Sequence, residues 1–365
     1  MARAVIDRRA LTWKWLASST AEWHVILPTA CRIDAMFRAL RLAAFALLAI
    51  IGPWGPALAA PYHAGVARSA FTTASGQANA VIWYPTDLPE ISWQAGPFEI
   101  DATREAPVAE GRFPVVLLSH GHNGGPLSHR ELAAQLARAG FIVIAPPHKG
   151  DTAGQPPRAS QDRILKSRPA QAIAALDAAL RDERLAPHAD PARIGMIGYS
   201  AGGYTGLILA GAKPDFDHAA AYCAKEGRDD TGSCGEARFI GMSEKLATWS
   251  APSEPRLKAL VLLDPLAVMF DATGLADVGI PVLLFRPQDD IYMRSAANAV
   301  ALARDLPRAP QEIVLPGTHF TFVDPCPEDI AGKAAMVCND PPGIDRPAIH
   351  RSLENDVIAF LQETL

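Results

Sequence analysis

Residues 194–206 read IGMIGYSAGGYTG. An apolar run halts at a serine boxed in by glycines, and three chemistries compete for it. A glycine-rich turn with an incidental serine would do nothing. A phosphate loop spanning Gly198 to Gly203 would need a lysine where Tyr204 stands, so that reading fails. The third is G-x-S-x-G, which lifts Ser200 onto the tip of a sharp strand-to-helix turn. A serine hydroxyl is a weak nucleophile at neutral pH. Ser200 would need an adjacent base, an acid to orient that base, and donors for a developing oxyanion.

Partners are sought where apolar runs end, because parallel sheets build their sites at the carboxyl ends of strands. His319, in VLPGTHFTF, follows the last such run behind a turn glycine and is the expected base. The other histidines have duller readings. His63, His188 and His218 sit in polar stretches, and His350 belongs to the C-terminal helix. His120, His122 and His129 surround the turn after FPVVLLS, while His148 in APPHKGD reads as a loop brace. Two aspartates end apolar strands: Asp264 in VLLDPL and Asp290 in IPVLLFRPQDD. A carboxylate there is costly unless hydrogen-bonded, which suits an orienting acid in either place. Asp289 should point away by strand alternation. For the oxyanion, one N–H should come from Ala201 at a helix N-terminus. The second should come from the SHGHNGG loop, where Gly121, Gly124 and Gly125 let backbone approach substrate; His122 is the expected donor.

These residues must be placed by a scaffold, and its rhythm is visible. FPVVLLSHG, FIVIAP, ARIGMIG, LKALVLLDP, IPVLLFRPQDD and QEIVLPGTHF read as strands, the first a continuous apolar run of the kind buried on both faces. Helical patterns separate them. In SHRELAAQLARAG, Ser128 should cap, Glu131 should complete a capping box and Gly140 should stop the helix. Further helices are expected over RPAQAIAALDAALRDERL, AGGYTGLILAG, SAANAVALARDL and 347–364, with an irregular insert at about 212–255. This alternation predicts the α/β class: a doubly wound, mostly parallel sheet with helices on both faces.

The 365 residues are 49% hydrophobic and 20% charged, which suits a globular chain with a large core. A net charge of −5 with no basic run makes nucleic acid an unsuitable partner. Residues 36–59 read as a secretory signal peptide: Arg38 and Arg41, the apolar run Leu42–Ile51, then Ala57-Leu58-Ala59. That run is too short to span a bilayer, so no transmembrane anchor is expected. Met36 is the expected start, residues 1–35 an upstream extension outside the fold, and Ala60 the mature N-terminus of a catalytic domain at 60–365. The first 59 residues hold seven Lys/Arg and three Asp/Glu, leaving the mature chain at about −9. Export to the periplasm or medium favours disulfides. The four mature cysteines, spaced 11 and 12 apart, suggest Cys223–Cys234 and Cys326–Cys338. No C-x-x-C or H-E-x-x-H is present, so no metal is expected.

The segments LLSHGHNGGPLSHRELAAQLARAGFIVIAPPHKGD, IGYSAGGYTG, LLDPL and LPGTHFTF resemble the α/β-hydrolase superfamily. They are most similar to its platelet-activating-factor acetylhydrolase and dienelactone-hydrolase-like bacterial branch, over about 110–322. LKALVLLDPL, IPVLLFRPQDD and LPGTHFTF are also similar to secreted cutinase-like polyesterases. The resemblance implies an α/β-hydrolase fold with nucleophile Ser200, base His319 and oxyanion donors His122 and Ala201. Most of the superfamily places the acid at Asp290, and the acetylhydrolases place it at Asp264; the reading favours Asp290. Ser200 replaces the cysteine of true dienelactone hydrolases, and the insert with Cys223 and Cys234 has no clear counterpart in mammalian acetylhydrolases. The expectation is a secreted or periplasmic serine hydrolase of carboxylic esters, small-molecule, lipid or polyester, needing no cofactor. The alternatives are an amidase or peptidase on the same machinery and a catalytically silent binding protein. Substrate selection is expected to involve the 212–255 insert.

Overall fold

The computed structural model describes residues 62–155, 157–235 and 238–365. The signal peptide and the Ala60 start therefore lie outside the described residues. Eleven strands are described, and nine form one sheet in the order β11-β10-β9-β8-β6-β7-β2-β1-β5. The parallel block consists of β6 (Phe113–Ser119), β7 (Ile142–Ala145), β8 (Ala189–Tyr199), β9 (Leu257–Leu263), β10 (Val282–Pro287) and β11 (Gln311–Leu315). β1 (His63–Thr73) and β2 (Gly76–Thr86) extend it antiparallel, with β5 (Thr103–Arg104) at the edge. A separate hairpin, β3 (Ser92–Ala95) and β4 (Phe98–Asp101), stands beside the sheet.

The sequence explains the block. In FPVVLLS every residue of β6 is buried, and in LKALVLL of β9 all but one are. Such strands need cover on both faces, and two separate apolar layers supply it. One is built on the helices Gln161–Arg181 and Ala201–Leu209, through side chains such as Leu176 and Tyr204. The other is built on Arg130–Arg138 and Arg346–Thr364, through Leu132, Leu136 and Leu353. The fold is an α/β-hydrolase fold.

Three local expectations change. Ser128 does not cap the helix Arg130–Arg138; His129 holds that place, and Ser128 Oγ accepts from Gly125 N–H. Glu131 does not close a box. Instead its N–H donates to the Asp324 carboxylate. The tight turn at Gly125 claims the serine before the helix can. Similarly, the helix read over SAANAVALARDL begins only at Ala299, because Asn298 turns its side-chain oxygen to the N–H groups of Ala267 and Val268. The insert is not irregular throughout: it contains the helix Phe216–Glu226 and two short turns of helix. Among the described residues no helix is long and apolar enough to cross a membrane.

Candidate active site

Five neighbouring parallel strands, β11-β10-β9-β8-β6, each lead within four residues to one of the residues singled out above. Ser200 follows β8 and has φ 52° and ψ −117°, outside the regions a serine favours. What holds it there is packing. Its N–H donates to the Leu263 carbonyl, and its own carbonyl accepts from Gly203, Tyr204 and Leu266 N–H. A Cβ on Gly202 would strike the Ser119 carbonyl, and one on Gly198 would strike the Gly202 backbone. The glycines around Ser200 let strand, turn and helix interpenetrate. Strain of order 1–3 kcal/mol at such a residue persists only where its surroundings over-determine it.

His319 begins a short 3₁₀ turn after β11 and is 1% exposed. Its ring packs against those of Tyr199 and Tyr292, each with centroids 5.0 Å away. Tyr199, beside Ser200, also donates its hydroxyl to the His319 carbonyl. Nδ1 lies 2.5 Å from Asp264 Oδ2. A carboxylate only accepts, so Nδ1 carries the proton and Nε2 is left as the basic nitrogen. Burial pushes the imidazolium down, to about 4, against the pull of Asp290 and Asp230, so the ring is neutral at pH 7.

The favoured acid of the sequence reading therefore needs correction in its placement. Asp264, not Asp290, hydrogen-bonds His319; Asp290 Oδ2 stands 3.8 Å from the same nitrogen. The reason is local. Asp264 immediately follows β9 with φ 41°, its N–H fixed by the Phe285 carbonyl. Asp290 sits in a turn three residues past β10, where its Oδ1 accepts from Tyr292 and Met293 N–H.

The loop after β6 lies against Ser200: a Cβ on Gly121 would meet Tyr199 and the Ser200 Cβ. Ala201 opens the helix Ala201–Leu209, so its N–H has no partner within that helix. His122 is pinned by its side chain. Nδ1 donates to Asp151 at 2.6 Å and Nε2 accepts from Arg158. Asp151 also accepts from Asn123 N–H and pairs with Arg168 at 2.5 Å, with side chains 1% and 0% exposed. Burial would raise Asp151, but His122 and Arg168 hold it well below the usual carboxylate range. Arg168 further donates to the His120 carbonyl and to Thr205. His148 is fully buried, with Nε2 on Ser119 Oγ and Nδ1 toward Gln171, so it braces this loop. Sequence reasoning missed Arg168 and Asp151. Arg168 sits beside Pro169 in a helix whose other residues read as an ordinary amphipathic pattern.

A cleft of about 530 Å³ opens beside Gly121, His122, Tyr199 and Phe320. Its far wall is mostly apolar, from Phe98 and Leu127 to Val323, Ile330 and Val337. Both Cys326 and Cys338 line it, and they are joined in a disulfide. Among the described residues, none from 212–255 lines this cleft. The insert packs behind His319 instead. Gly232 N–H donates to the Tyr292 carbonyl, Ser233 accepts from Asn298, and Glu226 pairs with Arg294. The Cys223–Cys234 disulfide lies within it.

Residues 100–232 match the model of the dienelactone hydrolase family. Among solved structures, the chain is similar to a ferulic acid esterase from Streptomyces cinnamoneus. The identity is 18% over 86% of this chain and 92% of that one, with a TM-score of 0.55. It is also similar to a dienelactone hydrolase-like promiscuous phosphotriesterase from metagenomic libraries, 17% identical over 83% and 99% of the two chains, with a TM-score of 0.49. No curated protein matches it in sequence.

Proposed function

For a hydrolase of the α/β-hydrolase fold that is similar to dienelactone hydrolases over residues 100–232, we propose the cleavage of carboxylic esters through a covalent acyl-enzyme on Ser200. One observation carries this reading: a strained serine at a strand-to-helix elbow, preceded by a tyrosine whose ring stacks on a buried neutral histidine whose Nδ1 is tied to a carboxylate. Ser200 Oγ attacks the ester carbonyl as His319 Nε2 takes its proton, and Asp264 stabilises the imidazolium that forms. The N–H groups of Ala201 and His122 stabilise the oxyanion. His319 then protonates the departing alkoxide. Water, deprotonated by the same nitrogen, releases the acid and restores Ser200. The apolar cleft favours an ester with one compact apolar or aromatic group.

We also propose that the chain acts after export, with its N-terminus at Ala60, a reading supported by the sequence of 36–59 and two disulfides. The intact mass of secreted protein tests it.

A fluorophosphonate probe tests the activity itself. Stoichiometric labelling mapped to Ser200, lost in Ser200→Ala, is the expected result, together with turnover of p-nitrophenyl esters from acetate to palmitate. A folded protein that neither labels nor turns over any ester would be a binding protein on this fold.

A further inference from the structure

Asp264 and Asp290 meet at His319, with one oxygen of each carboxyl and a ring nitrogen of the histidine all within 4.8 Å of one another. Asp264 is fully buried, and the Asp290 side chain is 0% exposed. Each leaves one buried oxygen without a donor, Oδ1 of Asp264 and Oδ2 of Asp290. Two carboxylates cannot satisfy each other, because neither can donate. A single proton between them satisfies both.

The remaining contacts say where that proton sits. Asp264 Oδ2 accepts from His319, and Asp290 Oδ1 accepts from Tyr292 and Met293 N–H. On Asp290 the oxygen left over is Oδ2. We propose that Asp290 is a neutral carboxylic acid at neutral pH and donates from Oδ2 to Asp264 Oδ1, holding the charged Asp264 on His319. Asp290 is thus a positioning residue, and the inference rests on the Ser200–His319–Asp264 reading.

The surroundings favour one proton and no second negative charge. The groups facing the pair are the neutral His319, the Asp230 carboxylate of the insert, the phenols of Tyr199 and Tyr292, and Arg286 of β10. Burial pushes both carboxyls up, and the Asp264 charge pushes Asp290 further. An acid raised in this way costs the folded state stability as pH rises from its unfolded value through its folded one. Asn at 290 escapes that cost, since its oxygen accepts where Oδ1 does and its amide donates where the acid O–H does.

The test compares the disulfide-intact wild type with Asp290→Asn and Asp290→Ala. The infrared difference, wild type minus Asp290→Asn at pH 7, should show a carboxylic-acid carbonyl band; a flat difference overturns the proposal. In thermal melts, Asp290→Asn should gain on wild type as pH rises from 4 to 9, and a constant gap counts against it. At neutral pH, kcat of Asp290→Asn should fall by less than about tenfold, and that of Asp290→Ala by about a hundredfold or more. The wild-type profile should decline in alkali, and that decline should be absent in Asp290→Asn. If Asp290→Asn is as crippled as Asp290→Ala, the charge on Asp290 is required and the proposal is wrong. If wild type hydrolyses no ester, the functional reading fails, and the infrared and melting results still decide the proton.

Discussion

The Asp324 carboxylate accepts from the backbone N–H of Glu131 at 2.7 Å, so the loop after His319 caps the helix that follows the loop after β6. The link spans 193 residues and ties together the two sides of the cleft. Asp324 also stands 3.7 Å from Arg130 and 3.6 Å from His350. Asp324→Ala removes a cap worth about 1 kcal/mol and leaves buried cations less compensated, so a total loss of about 2–4 kcal/mol is expected. Urea unfolding of both proteins measures it. KM for bulky esters should rise with it.

The same cluster has a pH dependence whose sign follows from His350. Burial would lower this imidazole, but Asp324 and the Thr321 carbonyl outweigh it and raise its pKa. A raised histidine adds stability that is fully present below the unfolded value of about 6.5 and lost as pH rises through the folded one. The stability gap between wild type and His350→Gln should therefore be larger at pH 5.5 than at pH 8.5. A gap that widens in alkali would contradict the assignment.

Ser200→Ala should abolish ester turnover while the protein stays folded. Ser200→Gly should do the same and also stabilise it, by about 1 kcal/mol, because glycine carries φ 52° without strain. Thermal melts beside the turnover assay separate the two effects.

Asp151→Asn tests the loop that presents His122. It breaks the pairs with Arg168 and His122 and leaves a guanidinium buried without its counter-charge. A loss of about 3–5 kcal/mol in stability is expected. In the fraction that folds, kcat should fall by about 10²-fold, as for loss of one oxyanion donor, with KM for a small acetate ester nearly unchanged.

The Cys326–Cys338 disulfide closes a short loop against the cleft. Replacing both by serine should cost about 2–3 kcal/mol. It should also raise KM for a butyrate or longer ester more than for acetate. The matching change at Cys223 and Cys234, which lie away from the cleft, should lower stability without that selectivity.

Ser200 and His319 stand out as candidates in the sequence because their signals are local: an apolar run that ends, and glycines that permit the turn. The alternating strands and helices were legible for the same reason, since period and composition report burial within a few residues. The choice between Asp264 and Asp290 was not legible. Both end apolar strands, and only the 41° φ of Asp264 and the N–H groups that occupy Asp290 decide which carboxylate reaches Nδ1. Nor was the Arg168–Asp151 pair, the Asp324 cap or the wall of the cleft. Each depends on side chains from distant segments meeting in a buried, low-dielectric interior, where an unpaired charge is too costly to remain. Residue order records which groups are available; strand order and the packing of loops at one end of the sheet determine which of them meet.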